Sequence, residues 1–280
     1  MRLHEPISGA HWQARLKLAY DLRDGSSVLS QRTHHGPLLV QKSLYPEGGA
    51  VCHHVILHPP GGIAGGDRLE LEVAVGPGAA ALLTTPGAGK WYRSKGPAAS
   101  QVLEFAVAAG GVLEWVPQEN ILFDAAVAHL DMQVALTQDA AFIGWELICF
   151  GRTVAGETFQ RGQYRPRARI RRNGVLLWQE QGGIAGGSSL FESAVGLGGQ
   201  PVYGTLVAAG PGLNGALLAA CRTMAPIVGT GSVTLLPEVL VARYLGPDAA
   251  AGRAYFVALW QVLRPVLTGR AVVLPRIWAT

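Results

Sequence analysis

From Arg68 to Val73 the chain reads Arg-Leu-Glu-Leu-Glu-Val, with charged and apolar residues in strict alternation. Successive side chains of an extended strand point to opposite faces, so this order buries one face and wets the other. A period of two dominates from Arg15 to about Phe150, with further runs at Ala14 to Tyr20, Val51 to Leu57, Ser100 to Val107, His129 to Leu136 and Ala141 to Phe150. Gly, Pro, Asp or Asn bounds each run, and counting such runs predicts about a dozen strands. Thirty-seven Gly and 17 Pro interrupt the chain too often for long helices. The expected fold is mainly β. With 49% hydrophobic residues there is ample material for one large core, and a single domain over residues 1–280 is expected.

Two segments change period. Asn214 can cap a short helix carrying Ala216, Leu217, Leu218, Cys221 and Met224. Asp248 can cap a longer one with Phe256, Leu259, Trp260 and Leu263 on one face, ended or kinked by Pro265. Both predicted α-helices lie in the C-terminal third, after most of the strands, which argues against βαβ units. No repeat of about 20 to 50 residues is found. The hexapeptide Gly-Gly-Ile-Ala-Gly-Gly at Gly61 to Gly66 and again at Gly182 to Gly187 is read as coincidence in a Gly/Ala-rich chain.

The net charge of +4 and pI near 9.1 are mildly basic, and most of the excess lies in one arginine-rich stretch. That is no nucleic-acid footprint by itself. Cys52, Cys149 and Cys221 are far apart and form no CxxC pair, so neither a disulfide framework nor a zinc knuckle is indicated. Met1 to Trp12 lacks a basic region followed by an apolar run, and no apolar stretch approaches the roughly 20 residues a bilayer needs. A cytoplasmic protein with no membrane partner is expected.

Thr84-Thr85-Pro86-Gly87-Ala88-Gly89-Lys90-Trp91 invites comparison with a phosphate-binding loop. Thr84 stands where that loop needs its first Gly, and Trp91 where it needs a hydroxyl, so nucleotide binding is not expected. His53, His54 and His58 look like a metal cluster, but the intervening apolar run and the following Pro59-Pro60 make the segment extended. In a strand, His54 and His58 stand about 13 Å apart, too far to share one ion. Asp67, Glu114, Glu119, Glu146 and Glu157 lie in apolar or turn surroundings. They fit either the paired carboxylates of a glycosidase or salt-bridged and turn-capping groups, and spacing does not choose.

Arg161, Arg165, Arg167, Arg169, Arg171 and Arg172 precede Asn173-Gly174, a strong two-residue hairpin signal. Such a turn pairs Arg171 with Leu176, Arg169 with Trp178 and Arg167 with Glu180, giving a cation–π contact and an ion pair on one face. Ile170 and Leu177 share the other. The competing reading is a docking surface for an acidic protein, with Arg165, Arg167 and Arg169 as its candidates. No nucleophile elbow and no catalytic cysteine context is present.

Several segments, taken in order, carry more weight than any one. They are Leu44-Tyr45-Pro46-Glu47-Gly48, His58-Pro59-Pro60-Gly61-Gly62-Ile63-Ala64-Gly65-Gly66-Asp67, Thr84 through Arg93, and Leu113-Glu114-Trp115-Val116-Pro117-Gln118-Glu119. Gly144-Trp145-Glu146, Gly151-Arg152 and Gly156-Glu157-Thr158-Phe159 follow, with a looser fit at Gly204-Thr205 and from Arg264 to Arg270. The set resembles the urease accessory protein UreD family, also called UreH. Trp91, Gly89 and Val116 depart from that family's commoner residues while keeping bulk or turn character.

The resemblance implies β-helix-like stacked sheets of many short strands with the two helices. It further implies a non-catalytic scaffold and metallochaperone that binds UreF and, through it, the GTPase UreG, and presents the assembly to apo-urease for nickel insertion. GTP hydrolysis would belong to UreG. An internal water-filled passage is implied as well, for which Asp67, Glu119 and Glu157 are the expected carboxylates and Thr85 and Arg152 their polar neighbours. Nickel would be held transiently, with no tightly bound cofactor and no stable metal site. Two other readings predict different behaviour: a β-helix carbohydrate-active hydrolase using paired carboxylates, and a nucleic-acid module using the arginine face. No nucleic-acid partner is expected.

Overall fold

In the computed structural model, which describes residues 11–279, the alternating segment becomes a strand with Leu69, Leu71, Val73 and Val75 buried and Glu70 and Glu72 turned outward. The reading of Met1 to Ala10 lies outside the described residues.

The described residues form nineteen strands. The first seven are β1 (Gln13–Arg23), β2 (Ser26–His35), β3 (Leu39–Val40), β4 (Pro46–Gly49), β5 (Cys52–Leu57), β6 (Arg68–Val75) and β7 (Ala80–Thr84). Next come β8 (Gly89–Trp91), β9 (Ala99–Val107), β10 (Val112–Trp115), β11 (Asn120–Leu122), β12 (Val127–Leu136) and β13 (Ala141–Phe150). The last are β14 (Gln163–Arg172), β15 (Val175–Gln181), β16 (Ile184–Ala185), β17 (Val202–Ala209), β18 (Thr230–Leu236) and β19 (Val239–Gly246). All six expected runs fall on strands, β6, β1, β5, β9, β12 and β13. The surplus over a dozen consists largely of pieces such as β3, β8, β11 and β16, too short to display a period.

All but β4 form two sheets, one of eight ordered β15-β14-β12-β9-β6-β1-β2 with β16 beside β14, and one of ten ordered β18-β19-β17-β13-β10-β7-β5-β3 with β11 beside β13 and β8 beside β11. Between β6 and β14 the chain alternates between them, so β6, β9, β12 and β14 stack in parallel in the first sheet while β7, β10 and β13 stack in parallel in the second. Parallel neighbours need a long crossover. Here the crossover is a strand of the opposite sheet rather than a helix, which makes a β-helix-like coil. Its rungs align Arg68, Ser100, His129 and Arg165, a repeat of structure without a repeat of sequence. The turns between rungs differ in length, so no fixed period survives in the sequence.

Two apolar layers result. Leu16, Leu18, Leu71, Phe105, Trp115, Val134 and Phe142 fill the space between the sheets. Trp145, Leu206, Phe256, Leu259, Trp260 and Leu263 fill the space between the second sheet and the helices. Burying one such side chain contributes about 1.5–3 kcal/mol.

The helices start where expected. The Asn214 side chain accepts from Leu217 N at 2.9 Å to open α1 (Gly215–Arg222), and Asp248 accepts from Ala251 N at 3.0 Å to open α2 (Ala249–Thr268). Pro265 does not end α2. The helix runs through it to Thr268 and stops at Gly269, whose φ of +70° is the left-handed conformation that glycine adopts without strain.

Candidate functional site

Glu146 occupies the middle of β13 and points between the sheets. Its Oε1 accepts from Trp115 Nε1 and its Oε2 from Asn120 Nδ2, each at 2.9 Å. Asn120 is oriented in turn, because its Oδ1 accepts from Trp91 Nε1 at 2.9 Å. Trp115 and Asn120 come from the turn of the coil beside β13 and Trp91 from the turn before it, so the coil itself aims the two donors at one carboxylate.

Two cavities reach Glu146. The larger, about 320 Å³, extends past Gln118 and Asn120 to Thr85, His58 and Lys90. The smaller, about 50 Å³, extends past Leu130, Met132, Tyr164 and Trp178 to Glu180, Tyr203 and Thr205. Gln101 and Glu146 line both. The surface Glu146 retains therefore faces these cavities, and protein encloses the rest. Burial pushes its carboxyl up from 4.5 to about 7, against the pull of the Trp115 and Asn120 hydrogen bonds. A group so placed changes charge near neutrality.

Both ends of the space are polar. At the end of the smaller cavity, Arg243 of β19 joins Glu180 of β15 at 2.7 Å and Thr205 of β17 at 2.5 Å, clasping the two sheets. On the larger cavity, burial lowers the His58 imidazole, partly offset by the charge of Asp67, and among the described residues its Nε2 has no hydrogen-bond partner. Tyr164 and Tyr203 are raised by burial and stay neutral.

Of the five passage candidates drawn from the sequence, Thr85 lines the larger cavity, and its Oγ1 accepts from Gln118 N at 2.9 Å. Asp67 is buried, and its two oxygens accept from Trp12 N and Ala64 N, both at 2.8 Å, which is the work of a turn-capping group. Glu119 is paired with Arg253 of α2 at 3.0 Å. Arg152 pairs with Glu157 at 2.7 Å and lies over the Phe123 ring at 4.6 Å. The structure does not gather the three expected carboxylates into one site. Glu146 stood among the acids of interest in the sequence, but only its partners from Trp115 and Asn120 distinguish it.

The remaining motifs resolve structurally. His53 and His54 sit buried on β5: His53 Nε2 meets Glu47 Oε1 at 2.6 Å, and the two nitrogens of His54 meet Tyr20 Oη at 2.8 Å and Ser43 Oγ at 3.0 Å. Burial, followed by the charges of Arg32 and His53, pushes His54 down to about 4, so it stays neutral. Among the described residues no group of three His, Cys, Asp or Glu side chains could hold a metal ion. Cys149 and Cys221 are buried free thiols raised to about 12 and about 11 by burial. The segment from Thr84 to Trp91 joins two strands and leads into no helix.

The arginine hairpin forms, but its register differs from expectation. Arg171 pairs with Leu176 as predicted, and then a bulge between Ile170 and Arg171 shifts the rest, so Ile170 faces Trp178, Arg169 faces Gln179 and Arg167 faces Gln181. Trp178 is thereby buried beside Ile170, and Glu180 turns to Arg243 instead of Arg167. The bulge keeps both Ile170 and Trp178 on the core face, which a regular ladder would not.

No described helix is long and apolar enough to cross a membrane. Compared with known proteins, residues 13–279 match the family model for the UreD urease accessory protein. The chain is 52% identical over 269 residues to the urease accessory protein UreD of Azoarcus sp. (strain BH72), covering 96% of this chain and 94% of that one. It is 50% identical to that of Nitrosococcus oceani, covering 96% and 90%, and 46% identical to that of Dechloromonas aromatica, covering 99% and 98%.

Proposed function

Since this chain belongs to the UreD urease accessory protein family, we propose that it is a scaffold that assembles with UreF, and through it the GTPase UreG, on apo-urease, and that nickel traverses its interior during urease maturation. The observation that carries the passage is the meeting of two inter-sheet cavities at Gln101 and Glu146. A hydrated divalent ion crossing an apolar interior needs a compensating charge and water-sized room. Glu146 supplies the first when ionised. Nickel accepts carboxylate, imidazole and water oxygen, so one carboxylate with part of a hydration shell holds it loosely enough for release.

In this reading the role of the chain is that of a helper rather than the catalyst. Glu114, Glu119 and Glu157 are each engaged by an arginine and Asp67 by backbone amides, so these acids do not furnish the free second carboxylate that a glycosidase requires.

The test is co-expression with UreF, UreG and urease, followed by the mass of the purified complex and by urease activity at limiting nickel. The complex should contain this chain, and its omission should abolish activation. Full activation without it would sink the proposal.

A further inference from the structure

The arginine stretch divides into two sets. Arg161 is tied to Asp124 at 2.5 Å, and Arg172 to Glu238 at 2.8 Å and to the carbonyl oxygen of Ala140 at 3.1 Å. These two fasten turns. Arg165, Arg167, Arg169 and Arg171 alternate with the inward Tyr164, Ala168 and Ile170, and so project from the outer face of the first sheet. Outward side chains on one strand recur about every 6.6 Å, which makes the four a column about 20 Å long.

That column is nearly uncompensated. Asp131, directly across on β12, is 3.9 Å from Arg167, and Arg171 reaches the carbonyl oxygen of Gly174 at 3.2 Å. Among the described residues Arg165 and Arg169 have no ion pair, and Arg169 Nε is a buried donor without an acceptor. The flanking strands offer His129 and Gln133 on one side and Gln179 and Gln181 on the other. The other end of the same face is different. There Arg15, Lys17 and Arg68 are met by Glu70 and Glu72, with Lys17 to Glu72 at 3.3 Å and Arg68 to Glu70 at 2.6 Å.

We propose that the outer face of β14, through Arg165, Arg167, Arg169 and Arg171, docks an acidic segment of a partner protein. It rests on the scaffold reading for there being a partner, and not on the nickel passage. The column is one side chain wide, and acidic side chains on an extended segment repeat at the same spacing, so one strand's length of carboxylates fits it. A nucleic-acid duplex is a poorer match. Spread over the sheet it would meet Glu104 on β9 and Glu72 on β6, in the same row as Arg169.

The experiment measures binding of the intact chain to poly-L-glutamate and to a mixed-sequence DNA duplex, alongside recovery of the co-expressed urease assembly. Poly-L-glutamate should bind in a salt-sensitive way, and replacing all four arginines by alanine should weaken it by about tenfold and lower recovery of the assembly. An Arg15→Ala/Lys17→Ala variant should bind as the parent does. Four Arg→Lys changes should restore most binding, which separates lost charge from lost fold. Unchanged poly-L-glutamate binding by the four-alanine variant, or tighter binding of the duplex, overturns the proposal. Arginine-dependent binding of poly-L-glutamate by a chain that assembles with no urease component upholds the acidic docking site and refutes the scaffold reading.

Discussion

Arg264 of α2 and Glu114 of β10, 150 residues apart in sequence, are both buried and joined at 2.9 Å. Arg264 also holds Glu47 at 2.8 Å and bonds the carbonyl oxygen of Ala271, while Glu114 accepts from Trp260 Nε1 at 2.6 Å. One guanidinium thus gathers β4, β10, α2 and the segment after it. Removing one partner of a buried pair strands the others. Arg264→Met should cost about 3–5 kcal/mol in denaturant unfolding, and adding Glu114→Leu should recover part of it. A loss within about 0.5 kcal/mol, the range of an ordinary surface change, would refute the assignment.

Glu47 gives this cluster a pH dependence. Burial alone would raise its carboxyl, but hydrogen bonds from His53 and Arg264, with the Arg264 charge, bring it from 4.5 down to about 2. The folded state then holds fewer protons than the unfolded chain, so the stabilisation is complete above 4.5 and is lost as pH falls toward 2. Melting temperatures across that window should fall more steeply for the parent than for Glu47→Gln. Parallel curves would count against the network.

The sign reverses at Glu146. Its folded carboxyl, near 7, binds protons more tightly than the unfolded value of 4.5, so its effect on stability is most favourable below 4.5 and declines as pH rises through 7. Glu146→Gln should flatten that decline. In a nickel-limited assay the same change should slow urease activation, with excess nickel restoring it and the mass of the complex unchanged. Activation at the parental rate under limiting nickel removes Glu146 from the passage.

Asp67 tests how much of its family motif is structural. Asp67→Ala leaves the amides of Trp12 and Ala64 without their acceptors, which should cost about 1–3 kcal/mol for each amide left buried. Urease activation should then fall in proportion to soluble protein. Normal thermal stability combined with poor activation would return Asp67 to a direct role with nickel.

Local features were legible because they obey local rules. The alternation in β6, the caps at Asn214 and Asp248 and the turn at Asn173-Gly174 each depend on residues a few positions apart. The register after that turn was not, since the bulge at Ile170 is decided by what Trp178 and Glu180 meet on other strands. Likewise Glu114 and Glu146 look alike in sequence, each beside a tryptophan. One is neutralised by an arginine far along the chain, while the other keeps a cavity on either side and draws its donors from other rungs. Only the coil, which brings those rungs together, tells them apart.

The clasp of Arg264 on Glu47 and Glu114 bears on the order in which the molecule can be completed during synthesis. Both acids leave the ribosome long before their cation does, so the early rungs can coil while two carboxylates still wait for a counterion. A ribosome stalled ahead of Arg264 would display an almost finished β-coil with an electrostatic wound at its centre, the sort of species on which holding chaperones and proteases act.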